Sequence, residues 1–133
     1  MNIVDTYNTI YEIDLVVANI DTTLEELKKT YCYSDGVELD SAITDGYATT
    51  SCCINKKTNK QSILVKHNKQ SDIKGEDKKI ALINTCAHEA VHVFLDIHRS
   101  IGEGVCLECQ EPTAYFIGWA TECIYKTLTK NDK

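Results

Sequence analysis

The sequence has little positive charge, no concentrated basic segment and no long apolar stretch. Its 133 residues carry 20 Asp and Glu against 14 Lys and Arg, and the net charge of −6 argues against a nucleic-acid partner. No apolar stretch approaches the roughly 20 residues that span a bilayer, and the opening residues lack the basic-then-apolar layout of a signal peptide. We therefore expect a cytoplasmic protein that binds neither nucleic acid nor membrane.

Internal repeats and low-complexity segments are also missing from the sequence. A chain of 133 residues can bury one core but not two, which predicts a single domain over residues 1–133. Seven cysteines are many for this length, but an odd number cannot all pair within the chain. In a reducing compartment we expect them to be free thiols.

Apolar patterns and turn signals predict strands in the first half of the chain and helices in the second. Residues 47–55 and 61–67 are rich in Thr, Ile, Val and Tyr and flank a lysine-rich turn, which predicts a β-hairpin. A capping-box signal predicts a helix over residues 22–32. Residues 11–19 fit either a strand or the end of an N-terminal helix, and residues 112–129 fit a final helix that begins with proline.

A long helix is predicted between residues 76 and 100. Gly102 and Gly104 follow this segment and favour the end of the helix there. Because the segment is apolar on more than one side, we expect it to lie between the sheet and another helix. Six residues are predicted to form its main apolar side: Ile80, Ile83, Ala87, Val91, Phe94 and Leu95.

The predicted long helix contains the pattern H-E-x-x-H, formed by His88, Glu89 and His92. At about 100° per residue the two histidines lie roughly 40° apart on one face, so both imidazoles can reach one metal ion. Glu89 lies beside them, where its carboxylate can act as a general base towards a water molecule. The competing interpretation is a buried helix whose two histidines are hydrogen-bonded core residues.

A catalytic zinc ion usually takes a third protein ligand and leaves one position to water. His98 has the spacing of an elongated H-E-x-x-H motif, but Leu95 replaces the glycine that would turn the chain back to the metal. Cys106 and Cys109 form C-x-x-C, but no second pair has matching spacing. These two cysteines are therefore expected to be free loop thiols, with a separate metal or redox role as the alternative.

Glu111 is the predicted third ligand. It follows His92 by 19 residues, beyond a loop with two glycines, at the start of a second helix that can fold back against the first. Pro112 disfavours a helical conformation at Glu111 and so predicts that Glu111 caps the second helix. The positive end of that helix would keep the carboxylate ionised, as a ligand must be. The alternative role for Glu111 is simple charge complementarity with the helix end.

The pattern of His88, Glu89 and His92 followed by Glu111 resembles the gluzincin branch of the zincin metallopeptidases. The segment 110–119 is also similar to a recurring motif of small phage and prophage proteins described as metallopeptidases. The resemblance implies an α+β fold, in which a small antiparallel sheet packs on the active-site helix and a C-terminal helix. It further implies Zn²⁺ as cofactor, peptide-bond hydrolysis as activity, and the host cytoplasm as location if a phage encodes the chain.

The resemblance also bears on a tyrosine and on the substrate. Tyr115 stands where many gluzincins have an aspartate; it is expected to orient a ligand histidine or stabilise an oxyanion, or else to be a core residue. In zincins a hairpin strand adds an extended peptide to its edge, and residues 61–67 are the predicted edge. The alternatives to a peptidase are a catalytically weak or inactive zincin fold that binds a protein partner, and an enzyme that hydrolyses a non-protein amide.

Overall fold

The computed structural model of the chain describes residues 1–70, 72 and 75–131. Within these ranges the chain forms five strands and three α-helices, and the α+β class expected from the sequence is confirmed. In chain order the elements are β1 (Val4–Asn8), β2 (Asp14–Ala18), α1 (Leu24–Lys28), β3 (Tyr31–Tyr33), β4 (Ala48–Asn55), β5 (Lys60–His67), α2 (Glu76–Ile101) and α3 (Gln110–Leu128), with a 3₁₀ turn at Ser41–Thr44.

The five strands form one sheet in the order β1-β2-β5-β4-β3. The predicted hairpin is confirmed as β4 and β5, with Ala48 opposite His67 and Asn55 opposite Lys60. β2 and β5 run parallel, so the sheet is mixed, whereas a wholly antiparallel sheet was expected. β5 lies in the middle of the sheet, and the prediction that residues 61–67 form a free edge is wrong. Strand β2 pairs with β5 along that edge. Local sequence could not predict this pairing.

The N-terminal third of the chain has more strand and less helix than predicted. Residues 11–19 contain β2, which decides between strand and helix for that segment, and β1 was not predicted. The capping box is present, since the Thr23 side chain accepts from the Glu26 amide while the Glu26 side chain accepts from the Thr23 amide. The helix nevertheless ends at Lys28, because Tyr31 begins β3 and its side chain is buried in a hydrophobic cluster with Leu27. The predicted helix over residues 22–32 is therefore too long.

Each face of the sheet is covered by one hydrophobic cluster. On one face, side chains of β2 and β5 such as Val17 and Val65 pack against the buried sides of α2 and α3. On the other face, Val16 and Leu64 pack against α1, Leu39 and Ile43. The alternation of side chains along each strand produces the two faces. As a result, α2 is fixed directly over β4 and β5, with α3 on its flank.

The boundaries of α2 agree with the prediction, and Gly102 ends the helix in the left-handed conformation with φ of 76°. The buried side of α2, however, differs from the predicted one. Of the six residues predicted to form the main apolar side, only Phe94 is buried, Ala87 is half-buried, and the other four are exposed. Because α2 is apolar around most of its circumference, periodicity could not decide which side the sheet covers. The residues that are buried are Cys86, Glu89, Ala90, Val93, Phe94 and Ile97.

The apolar character of α2 also bears on membrane binding. By length and composition alone, Glu76–Ile101 is apolar enough to cross a membrane, contrary to the expectation that no segment approaches this requirement. One such helix is weak evidence for a membrane span, because the core helix of a soluble protein has the same composition. Ala90, Val93 and Ile97 are completely buried against the sheet and α3, which accounts for part of that composition.

We predict that Ile97→Ala lowers the free energy of unfolding by about 2–5 kcal/mol, because Ile97 is fully buried and the substitution leaves a cavity. Leu95→Ala on the same helix is the matched control, since Leu95 is 42% exposed and should change stability by less than about 1 kcal/mol. Urea unfolding of both variants measures the difference. Equal losses would mean that the sheet covers the other side of α2.

Candidate active site

His88 and His92 lie one turn apart on the exposed side of α2. Their rings are edge to face with centroids 5.0 Å apart, so two imidazoles are held together on one rigid element, as the sequence predicted. The His88 side chain is 62% exposed. The alternative interpretation of buried core histidines is therefore wrong for this pair, whose nitrogens face solvent or a ligand.

Glu89 occupies the boundary between α2 and the sheet. Only 5% of the residue is exposed, and the hydroxyl of Thr50 on β4 donates a hydrogen bond of 2.8 Å to its Oε1. Its other oxygen, Oε2, lies 3.8 Å from Nε2 of His88. These two atoms are too far apart for a direct hydrogen bond. The carboxylate is thus oriented by the sheet and directed towards His88.

An open hollow lies beside His88 and Glu89. Residues at the start of β4 and in the middle of α2 line this hollow: Tyr47, Ala48, Asn84, Thr85, His88 and Glu89. Thr50 and this end of β4 were not predicted to belong to the site. The signal that could have found them is the alternation of the hairpin strand, which places Ala48 and Thr50 on the face that carries the helix.

Glu111 lies in a different place from the one predicted. It is the second residue of α3, after an N-cap at Cys109, whereas the sequence predicted that Glu111 itself would cap the helix. Pro112 is tolerated in this first turn because the amide it lacks has no partner inside the helix. Glu111 faces a separate open hollow along α3, lined by Glu111, Ala114, Tyr115, Gly118, Trp119 and Glu122.

Across residues 1–70, 72 and 75–131, no group of three or more His, Cys, Asp or Glu side chains is arranged to hold a metal ion. The donors fit zinc in kind, because imidazole and carboxylate are its usual ligands, and His88 and His92 fit in their placement. Glu111 as the third ligand stays a prediction.

Tyr115 lines the α3 hollow with Glu111 and not the hollow of His88 and Glu89. It is 75% exposed, so the alternative expectation that Tyr115 is a core residue is wrong. A role as an orienting or oxyanion-stabilising residue stays a prediction.

His98, the rival of Glu111 as third ligand, packs among aromatic side chains. Its Nδ1 lies 3.0 Å from the carbonyl oxygen of Phe94, its ring lies 4.0 Å from the Phe94 ring, and Tyr11 packs edge to face against it at 5.8 Å. Aromatic contacts and a backbone hydrogen bond hold the imidazole away from the exposed side of α2. These contacts favour a packing role for His98 over a ligand role.

The edge of the sheet nearest to Glu89 belongs to β4. β3 pairs only with residues 53–55 of β4, and the amide of Ser34 adds one bond to the Cys52 carbonyl. In the described part of the chain, residues 48–51 pair with β5 alone. Backbone groups point alternately to the two sides of a strand, so those of Ala48, Thr50 and Cys52 point to the same side. The Cys52 carbonyl is bonded by Ser34 there, whereas Ala48 and Thr50 have no backbone partner on that side in the described part of the chain.

Comparison of the chain with protein-family models, with curated proteins and with solved structures gives no significant match.

Proposed function

We propose that this chain is a zinc-dependent metallopeptidase whose general base is Glu89. The observation that carries the proposal is the combination of a buried, oriented carboxylate and two exposed imidazoles on one turn of α2. A buried carboxylate is costly unless it is hydrogen-bonded or paired. Glu89 has one oxygen bound by Thr50 and the other 3.8 Å from Nε2 of His88. This arrangement is typical of a catalytic base that must hold a fixed position.

Zinc would be held by His88 and His92, with Glu111 as the third ligand predicted from sequence. When bound, zinc would supply a Lewis acid that polarises a carbonyl group and acidifies a water molecule. Glu111 is exposed at the start of α3, directly after the exposed loop over residues 102–109.

Glu89 would accept the proton of the attacking water on Oε2 and later donate it to the leaving amine. The hydrogen bond from Thr50 to Oε1 keeps the carboxylate from rotating during both transfers. The low exposure of Glu89 excludes bulk water from the base and so strengthens its interaction with the reacting groups. Thr50 is thus a positioning residue that acts through Glu89.

The peptide substrate would bind as an extended strand along residues 48–51 of β4. Backbone groups of Ala48 and Thr50 are available on that side, and Thr50 also contacts Glu89. A peptide at this edge would continue the sheet where β3 ends and would pass beside the hollow of His88 and Glu89. This edge replaces residues 61–67 as the predicted binding strand.

A second candidate function is binding of a protein partner without cleavage. It is favoured by exposed apolar residues beside the histidines, namely Val91 at 41% and Leu95 at 42% exposure. Such a protein would keep the fold and the partner surface while lacking turnover.

Removal and return of zinc tests the proposal. The full chain would be incubated with a pool of internally quenched fluorogenic peptides before and after treatment with a chelator. We expect hydrolysis to fall at least ~10-fold on chelation and to recover with about one equivalent of zinc. Hydrolysis that survives chelation would contradict a metal-dependent mechanism. A zinc-loaded protein without hydrolysis of any peptide would favour the binding protein.

A further inference from the structure

Cys106 and Cys109 differ from the other cysteines of the chain in their exposure. Both lie in the loop between α2 and α3 and are exposed, whereas the remaining five are buried or half-buried. Burial raises the pKa of Cys53 and of Cys86 to about 12, and that of Cys123 to about 11, which keeps these thiols protonated and unreactive. The exposed pair is therefore the part of the chain open to thiol chemistry.

The backbone holds the two exposed thiols side by side. The amide of Cys109 donates to the carbonyl oxygen of Cys106 at 3.3 Å, which closes a turn of four residues immediately before α3. Hydrogen bonding from the Cys109 thiol lowers the pKa of the Cys106 thiol.

We propose that Cys106 and Cys109 form a reversible dithiol-disulfide site that exchanges with low-molecular-weight disulfides. Both cysteines share one backbone turn and both are exposed, and these two observations carry the proposal. Cys106 is the attacking thiol, because its lowered pKa favours the thiolate. Cys109 is the resolving thiol. The exchange uses no side chain of the proposed zinc site, although Cys109 lies two residues before Glu111.

The exchange is balanced in atoms and electrons. The thiolate of Cys106 attacks one sulfur of the small disulfide, forms a mixed disulfide and expels the first small thiolate. Cys109 loses its proton to solvent, attacks the sulfur of Cys106 and expels the second small thiolate. Two protein thiols are oxidised to one disulfide, and one small disulfide is reduced to two small thiols.

Equilibration of the full-length reduced protein with mixtures of reduced and oxidised glutathione tests the site. Free thiols are then trapped by alkylation, and mass spectrometry of the intact chain and its peptides locates any disulfide. We expect two thiols to be lost together and the bond to join Cys106 to Cys109. Cys109→Ser should accumulate a stable mixed disulfide with one glutathione on Cys106, because serine keeps the hydrogen-bond donor but cannot resolve the intermediate.

The rate of alkylation separates the roles of the two cysteines. In the single-cysteine loop variants at neutral pH, Cys106 should react faster than Cys109, because its pKa is lowered. Cys32→Ser is the matched control, since Cys32 is half-buried on β3 and its loss should leave the exchange unchanged. Equal rates for the two loop cysteines, a disulfide that maps elsewhere, or two thiols that stay reduced across the glutathione series would overturn the proposal.

Discussion

Replacement of Glu89 by Gln is expected to lower kcat for peptide hydrolysis by about 10²–10⁴-fold while zinc binding is retained. The amide oxygen of the substituted side chain can still accept the hydrogen bond from Thr50, so the fold around the site should be kept. The amide cannot accept a proton from water, so the base is lost without the loss of a metal ligand. Peptide turnover and zinc content, measured on the same preparation, check both parts of this expectation.

Asp96→Asn is the matched control for this substitution. Asp96 lies on the same helix, has a side chain only 15% exposed, and is paired with Arg99 at 2.7 Å. It lies outside the hollow of His88 and Glu89, so turnover should stay within about twofold of the wild-type value. Wild-type turnover in Glu89→Gln would remove Glu89 from the mechanism, whereas loss of zinc in this variant would make Glu89 a ligand.

His88→Ala and His92→Ala are each expected to weaken zinc binding by more than about 100-fold and to abolish hydrolysis. Each removes one of the two imidazoles that α2 presents 5.0 Å apart, and two side-chain ligands are too few for a stable catalytic site. Both residues are on the exposed side of α2, so their loss should change the stability of the metal-free protein little. Zinc affinity by competition with a chromophoric chelator measures the effect.

His98→Ala is the control for these two variants. The structure packs His98 against Phe94 and Tyr11, so its removal should cost about 1 kcal/mol of stability or more and leave zinc affinity unchanged. A zinc affinity that falls in His98→Ala to the same extent as in His92→Ala would make His98 the third ligand. Glu111 would then not be a zinc ligand.

The sequence was most informative where a local rule decides the structure. The H-E-x-x-H spacing predicted that His88 and His92 would share one face of a helix, and the helix boundary at Gly102 and the β4–β5 hairpin follow from turn chemistry. Such features depend on neighbours a few residues apart, which the sequence displays directly.

What the sequence could not decide depends on contacts between distant segments. The parallel pairing of β2 with β5 joins residues about 48 positions apart and moved β5 from the edge to the centre of the sheet. The choice between the two apolar sides of α2 was made by the sheet, which covers Val93 and Ile97 and leaves Leu95 exposed.

The site shows the same division between local and distant information. Glu89 and the two histidines lie within five residues of one another and were predicted together. Thr50 was missed because only the packing of β4 on α2 brings it to Glu89. Glu111 was predicted from its spacing along the chain, but where it lies relative to His92 depends on how α3 packs, which spacing does not determine.

X-ray absorption at the zinc edge, on the full chain purified without added metal, tests the central claim most directly. The account predicts about one zinc ion per chain with a first shell of nitrogen and oxygen only, at about 2.0–2.1 Å, and with the multiple-scattering signature of two imidazoles. A shell of sulfur at about 2.3 Å would place the metal at Cys106 and Cys109 instead of at His88 and His92. That result, or protein that contains no zinc and binds none, would contradict the proposed metallopeptidase.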